Sequence, residues 1–316
     1  TDGTSGNLIV SGGAPTQFAT INLSTVQMAG FKLTGNVGDD LFTIANFDGT
    51  ALQTAANFDV LVDSSTIPGG SDTFTVNGAL ILKGSGSLAT SNNANSSINL
   101  AQATVSATGS ISTAGTGNVL LVANSLAASN VTIKSGGTIT TTSGTVTLIA
   151  TLTSNPTGNI ILNGNAVTTN GGSINFNSYV VLVNATTINS GNSITANVTF
   201  SGKVDGADSL TVTSQGLISF IGDIGNTLMG NINISGGGTG LAVTGNVSAA
   251  SLVTTTAING NISFGGTQNY TSAALGLNLS TINNGNITLS GNVTLAANAP
   301  LQLSHSGKLS IGGNIT

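Results

Sequence analysis

The chain has 316 residues and a net charge of −5 at pH 7, and only 5% of its residues are charged, against about 25% in an average globular domain. Hydrophobic residues make up 39%, which excludes intrinsic disorder, because disordered chains combine low hydrophobicity with high net charge. The acidic pI near 4.3 excludes the basic footprint of a nucleic-acid-binding protein. No apolar run approaches the roughly 18 residues of a membrane helix, so we expect no membrane insertion.

The composition favours β-structure. Glu and Arg are absent, whereas Thr, Ser, Asn, Val, Ile and the 44 Gly dominate. β-Branched residues fit a pleated sheet, and Gly and Asn accept the positive φ of tight turns. The chain also contains no Cys, which fits a secreted bacterial surface protein.

The section at about residues 1–90 is more acidic and richer in Phe than the rest of the chain. It holds most of the Asp and six of the 10 Phe, whereas the section at about 91–316 is neutral and rich in Gly, Asn, Ser and Thr. No Pro-rich or charge-rich linker separates the two sections. We therefore predict one continuous domain over residues 1–316.

Two segments of the acidic section resemble the calcium-binding nonapeptide of repeats-in-toxin proteins. They are residues 35–43 (GNVGDDLFT) and residues 70–75 (GSDTFT). The candidate ligands for Ca²⁺ are the carboxylates of Asp39, Asp40 and Asp72, and no other cofactor is expected. One such turn supplies only part of a shell of about six to eight oxygens, and the two segments are not adjacent in the sequence. The simpler interpretation is Asp in a Gly turn ahead of a Phe-bearing strand.

A short motif recurs along the chain: Gly-Asn followed by Ile or Val. Its glycines are Gly35, Gly117, Gly158, Gly230, Gly245, Gly260, Gly285, Gly291 and Gly313. Each copy opens an alternating strand, such as residues 261–265 (NISFG), whose apolar side chains lie on one face. We assign Gly-Asn to the corners between strands, because both residues tolerate positive φ.

These short strands predict an all-β fold, a parallel β-helix (β-solenoid) rod. A rung of two or three short strands cannot bury its apolar face alone, so rungs stack around one continuous core. At roughly 20 residues per rung, about 15 rungs would form a rod of about 70 Å, with Asn and Thr ladders at the corners. The residues predicted to point inward are Ile262, Phe264, Ile287, Leu289, Val293 and Leu295.

The repeats resemble those of giant bacterial surface adhesins of the filamentous-haemagglutinin type. The resemblance is carried by residues 197–212 (NVTFSGKVDGADSLTV), 216–222 and 285–295. It implies a right-handed β-helical rod that is secreted by a type V pathway and serves adhesion, aggregation or biofilm structure. It therefore places the chain outside the cell or on the bacterial cell surface.

Few side chains are candidates for catalysis. Carboxylate pairs could hydrolyse glycosides, and the candidates are Asp205 with Asp208 or Asp39 with Asp40. The single His, His305, lies in a segment predicted to face solvent, and the sequence has no nucleophile elbow, P-loop or zinc spacing. We therefore expect no catalytic residues and no enzyme.

Flat arrays of Thr-x-Thr pairs can bind ice, and this sequence contains several such pairs. They are Thr73/Thr75, Thr138/Thr140, Thr145/Thr147 and Thr211/Thr213. Their spacing does not place them on successive rungs, so ordinary strand propensity explains them.

The expected function is a structural segment of an extracellular fibre or surface stalk. The alternatives are a glycan- or host-binding adhesin module and, behind it, a carbohydrate-active β-helix enzyme. A binding module should show exposed aromatic residues or a charged patch, and besides Phe the only aromatic residues are Tyr179 and Tyr270. Neither end of the sequence carries a capping helix, so the expected partner is another copy stacked end to end, or further rungs of a longer solenoid. Glycans and cell surfaces are further candidate partners.

Overall fold

The structure, a computed structural model, describes the strands between Gly30 and Val122 and residues 130–133, 135–141, 143–150, 158–164 and 166–316. Side chains are described for Val119, Leu121 and the residues of these ranges from Asn130 onward, apart from Ala166. All regular structure in this part is β-strand, and it contains no helix that could span a membrane. In chain order the strands up to Phe176 are β1 (Gly30–Thr34), β2 (Leu41–Ile44), β3 (Phe47–Asp48), β4 (Asp59–Asp63), β5 (Asp72–Val76), β6 (Ala79–Leu82), β7 (Leu88–Thr90), β8 (Leu100–Val105), β9 (Ser110–Thr113), β10 (Val119–Val122), β11 (Asn130–Ile133), β12 (Thr138–Thr141), β13 (Val146–Ile149), β14 (Asn159–Asn163), β15 (Ala166–Thr169) and β16 (Ile174–Phe176).

The strands continue at the same density to the end of the described chain. They are β17 (Tyr179–Asn184), β18 (Thr186–Asn189), β19 (Val198–Phe200), β20 (Val204–Asp205), β21 (Leu210–Thr213), β22 (Leu217–Phe220), β23 (Ile224–Ser235), β24 (Gly240–Val243), β25 (Val247–Thr254), β26 (Asn261–Phe264), β27 (Gln268–Tyr270), β28 (Leu277–Ser280), β29 (Ile287–Leu289), β30 (Val293–Leu295), β31 (Leu301–Ser304) and β32 (Leu309–Ile311).

Every rung contributes strands to three parallel ladders. Face 1 is a 12-stranded sheet in the order β1-β4-β7-β10-β13-β16-β19-β22-β24-β26-β29-β32. Face 2 runs from β2 through β5, β8, β11, β14, β17, β20, β23, β25 and β27 to β30, and face 3 runs from β3 through β6, β9, β12, β15, β18, β21, β23, β25 and β28 to β31. The long strands β23 and β25 belong to both, and so join faces 2 and 3 into one 20-stranded sheet. The predicted parallel β-solenoid is confirmed.

The rungs are longer than the sequence estimate of roughly 20 residues. Hydrogen bonds between neighbouring rungs join residues 20 apart at Leu217 and Asn197 but 29 apart at Asn159 and Asn130. In the described part of the chain, face 1 has 12 strands between Gly30 and Ile311. Apart from β23 and β25 the strands are short, so most of the extra residues lie in the corners, whose length the Gly-Asn spacing alone does not determine.

The core is a set of columns in which each buried side chain contacts its equivalent in the next rung. On face 1, Phe176, Phe200 and Phe220 pair in register and stack with ring centroids 4.7 and 4.6 Å apart. Of the six residues predicted to point inward, Ile262, Phe264, Ile287, Leu289 and Val293 are fully buried, as predicted. Leu295 is only partly buried, and its backbone N–H donates to the carbonyl oxygen of Thr316.

Glycine is required at the corner between faces 1 and 2 for a different reason from the one predicted. Gly245 and Gly291 do not have positive φ. Instead, a Cβ at Gly245 would lie 2.5 Å from the backbone of Gly222, and a Cβ at Gly291 would lie 2.1 Å from the carbonyl oxygen of Gly266. These distances are shorter than van der Waals contact. Only glycine fits at this corner, because the backbones of consecutive rungs touch there.

The asparagines of the Gly-Asn motifs link the rungs. The Oδ1 atom of Asn292 accepts a hydrogen bond from the backbone N–H of Asn314 at 2.9 Å, and Asn261 does the same for Asn286. Asn246 accepts from both the N–H and the hydroxyl of Thr267, each at 2.9 Å. The predicted corner ladders therefore exist, but they join an amide side chain to a backbone donor that would otherwise lack a partner.

Candidate functional site

The predicted calcium ligands lie largely outside the described residues. Asp39 and Asp40 fall between β1 and β2 and are not described. Asp72 is the first residue of β5, where it pairs with Leu100 of β8, and its side chain is not described. Within the part of the chain that the structure describes, no three His or Asp side chains cluster as a metal site would require. The calcium site stays a prediction.

The best-defined polar cluster is built around Asp205 on face 2. Asp205 follows Val204 at the end of β20 and is only 6% exposed, although it faces away from the core. Its Oδ2 atom accepts a hydrogen bond from the hydroxyl of Tyr179 at 2.6 Å. Its Oδ1 atom accepts from the backbone N–H groups of Gly206 at 2.9 Å and Thr227 at 2.8 Å.

These donors come from three consecutive rungs. Tyr179 begins β17 in the rung before Asp205, and Thr227 lies in β23 in the rung after it. The register of β23 against β25 shifts between Ile224 and Met229, so the backbone bulges outward at residues 226–228. Asp205 therefore holds this bulge against the solenoid wall and fixes the ring of Tyr179 beside it.

Hydrogen bonding sets the protonation state of the pair. Burial by itself would raise the pKa of the Asp205 carboxyl, but the bonds from the Tyr179 hydroxyl and from the N–H groups of Thr227 and Gly206 outweigh burial and lower it. Burial, the bond to Asp205 and the carboxylate charge together raise the pKa of Tyr179 to about 12. Asp205 is therefore an ionised acceptor at neutral pH, and Tyr179 is a neutral donor.

A shallow surface cavity of about 400 Å³ opens beside this cluster. It is lined by Gly158, Asn177, Ser178, Tyr179, Ser201, Gly202, Lys203 and Asn226. The cavity offers amide and hydroxyl groups and one ammonium group, which could hold a small polar molecule. It offers no acid–base pair, because all the hydrogen bonds of Asp205 go to groups of the wall itself.

Of the remaining catalytic candidates, Asp39 and Asp40 lie outside the described residues. Asp208 lies in the corner before β21, and its carbonyl oxygen accepts a backbone hydrogen bond from Gly230. His305 is exposed, as predicted, and its Nδ1 atom lies 2.9 Å from the carbonyl oxygen of Gly307, so Nδ1 carries the proton. Glycoside hydrolysis by Asp205 with Asp208 stays a hypothesis.

One polar pair lies inside the core, where none was predicted. Gln268 and Tyr270 of β27 are 2% and 0% exposed, and the hydroxyl of Tyr270 donates to Oε1 of Gln268 at 3.2 Å. Tyr270 pairs in register with Ala249, whose small side chain leaves room for the ring. The strand alternation places Gln268 inward, but hydropathy alone does not indicate a buried amide.

Comparison with known proteins adds no relative: no protein-family model, no curated protein and no solved structure matches the chain.

Removal of the Asp205 carboxylate should destabilise the folded chain, and so should its protonation at low pH. In D205A the Tyr179 hydroxyl and two backbone N–H groups lose their acceptor, which we expect to cost about 1–3 kcal/mol in the free energy of unfolding. The pKa of Asp205 is lower in the folded state, so its contribution is fully present above the ordinary Asp pKa of about 3.9 and is lost as pH falls through the folded pKa.

Urea unfolding of both proteins at a series of pH values between about 2 and 7 measures this. The stability difference between the wild type and D205A should shrink below pH 4. Asp223→Ala is a less severe control, since the partly buried Asp223 carboxylate accepts a hydrogen bond from the N–H of Asn246 at 2.8 Å. A difference that stays constant down to pH 2 would contradict the role given to the ionised carboxylate.

Proposed function

We propose that the chain is a non-catalytic, rigid structural segment of an extracellular fibre or surface stalk, serving adhesion, aggregation or a biofilm matrix. The support is the construction of the core. Each buried residue packs against its equivalent one rung away, as in the column of Phe176, Phe200 and Phe220, so the core can grow along one axis without a change of cross-section. A core of this kind suits a rigid segment that holds other parts of a fibre or stalk apart.

An apolar surface at the last described rung offers a way to test the proposal. Ile311 and Ile315 are 41% and 40% exposed, whereas their register partners one rung earlier, Leu289 and Val293, are 0% exposed. Leu301, Leu303 and Leu309 of the same rung are also only partly buried. One more rung stacked here, from the same chain or from a second copy, would cover these side chains and extend the fibre.

The expected result is concentration-dependent association of the purified 316-residue chain through this surface. Sedimentation velocity over a concentration series measures it, and the average mass should rise with concentration. The double variant Ile311→Lys with Ile315→Lys should shift the distribution towards the monomer, because each ammonium group would have to be buried in an apolar contact.

The control is Ser310→Lys, which adds one positive charge, against two in the double variant, on the same strand as Ile311 but on the opposite face of that strand. It should associate like the wild type. A wild type that stays monomeric at every concentration would contradict stacking through the apolar rung. Equal effects of the double variant and the Ser310→Lys control would contradict it as well.

The extracellular location rests on the resemblance to surface adhesins and is tested separately. Antibodies against the chain should label fibres or the surface of intact cells in immunogold electron micrographs. Label found only in the cytoplasm of sectioned cells would contradict the surface role.

A further inference from the structure

Four consecutive rungs of face 3 present a two-dimensional array of threonines. Strands β12, β15, β18 and β21 pair in continuous register and line up two outward columns. The first column is Thr138, Ala166, Thr187 and Thr211, and the second is Thr140, Thr168, Asn189 and Thr213. We call these eight positions the threonine array, and six of them are threonine.

The register corrects the sequence analysis of the Thr-x-Thr pairs. Thr138/Thr140 and Thr211/Thr213 are not on adjacent rungs, as expected, but they occupy the same two columns of one face. The two rungs between them carry Ala166 with Thr168 and Thr187 with Asn189 at the equivalent positions. A search for complete Thr-x-Thr pairs overlooks both. Thr147 lies elsewhere, on β13 of face 1, and Thr73 lies on β5 of face 2.

The array is supported by the core beneath it. The residues between its two columns are Ile139, Val167, Ile188 and Val212, and each is 0% exposed. The strand geometry spaces the hydroxyl groups by about 4.8 Å from rung to rung and by about 6.7 Å along each strand. Threonine is β-branched and has few χ1 rotamers, so its hydroxyl and methyl groups are ordered in advance.

The array is also electrically neutral, which distinguishes it from the neighbouring surface. No charged residue occurs in the strands that form it. In the same rungs face 2 presents Ile161 and Val181 outward, together with Lys203, and the bulge at residues 226–228 follows in the next rung. A neutral, flat lattice of hydroxyl groups without a cavity is a poor match for an ion, a charged mineral or a soluble sugar.

We propose that the threonine array binds ice. Ice is an uncharged, rigid surface of hydrogen-bonding groups, and the two repeats of the array lie near the repeats of oxygen positions along two axes of hexagonal ice. Single hydroxyl–water contacts are weak, but the six threonines are fixed on one scaffold and engage the same crystal at once, which multiplies their effect. The activity adds to the structural role and does not depend on it.

The first column of the array ends on its C-terminal side, where Thr211 pairs with Asn233, whereas the second column continues by one rung. The hydroxyl of Thr213 lies 2.7 Å from that of Ser235 in the next rung, so the hydroxyl column continues there. Further along, Nδ2 of Asn278 donates to Oε1 of Gln302 at 2.7 Å. These longer amide side chains bond to each other across the face and break the regular lattice of short hydroxyl groups.

Ice-affinity partitioning of the 316-residue chain tests the proposal. Ice is grown slowly from a dilute solution on a cooled surface, and the wild type should be enriched in the ice fraction while serum albumin stays in the liquid. Thr187→Tyr, in the middle of the array, should reduce the partition ratio to that of albumin, because the ring holds the ice surface away. Ala166→Thr fills a gap in the first column and should increase the thermal hysteresis.

The matched control is Thr199→Tyr, which puts the same ring on β19 of face 1, also facing outward. It should partition like the wild type, and circular dichroism melting should show that both Tyr variants fold. If Thr187→Tyr fails to fold, Thr140→Tyr at the exposed edge of the array replaces it. Exclusion of the wild type from ice, or equal loss in the face 1 variant, would overturn the proposal.

Discussion

Truncating Phe200 to alanine should cost about 3–5 kcal/mol in the free energy of unfolding, the range for removing a buried aromatic ring. Phe200 is 0% exposed and stacks on Phe176 at 4.7 Å and on Phe220 at 4.6 Å. The substitution therefore removes two ring contacts and leaves a cavity between two rungs. Because each rung is stabilised mainly by its neighbours, the loss should also separate the unfolding of the rungs on either side.

Urea or thermal unfolding followed by circular dichroism measures both effects. The matched control is Thr199→Ala, in the same strand but on the outward face, which should change stability by no more than about 0.5 kcal/mol. A loss in Phe200→Ala no larger than in this control would mean that the aromatic column does not stabilise the solenoid.

Much of the fold could be predicted because its signals are local. Alternation along segments such as residues 261–264 identifies the buried face, and Ile262 and Phe264 are buried as a result. The number and length of the rungs could not be predicted in the same way. Corners of different length are all compatible with the same short strands, so the pairing of Val198 with Ile218 becomes visible only in three dimensions.

The candidate site was harder to predict from the sequence, because its contacts cross from rung to rung. Tyr179 and Asp205 are 26 residues apart in the sequence, and nothing in either local segment indicates that they share a hydrogen bond. The threonine array was missed for the same reason. Its two complete pairs are visible in the sequence, but their alignment through Thr168 and Thr187 depends on the register of four strands.

The corner glycines show how a correct residue assignment can rest on the wrong cause. Gly245 was assigned to a corner for its conformational freedom, and it does lie between β24 and β25. Its φ is not positive, and the actual constraint is the backbone of Gly222 and Asp223 in the rung before it. The two explanations predict different results for substitution by alanine, since an L-residue at negative φ is harmless unless a neighbour is too close.

Gly245→Ala should therefore destabilise the solenoid by about 3 kcal/mol, at the upper end of the usual cost of forcing extra atoms into a packed site. The added Cβ would lie 2.5 Å from both the carbonyl carbon and the oxygen of Gly222 and 2.6 Å from the nitrogen of Asp223. All three are backbone atoms, so no side chain can rotate away. The rungs must separate, which also stretches the hydrogen bond between Asn246 N–H and Oδ1 of Asp223, now 2.8 Å long.

The control for this prediction is Gly240→Ala in the same rung. There the nearest atoms to the added Cβ are 3.1 Å away, and one of them is the end of the Leu217 side chain, which can move. Alanine also restricts the unfolded chain, which offsets part of the strain, so we expect a change of less than about 1 kcal/mol. Unfolding midpoints in urea compare the two variants directly. Equal midpoints would show that backbone contact between rungs does not select glycine at the corner, and that the cause lies in its conformational freedom after all.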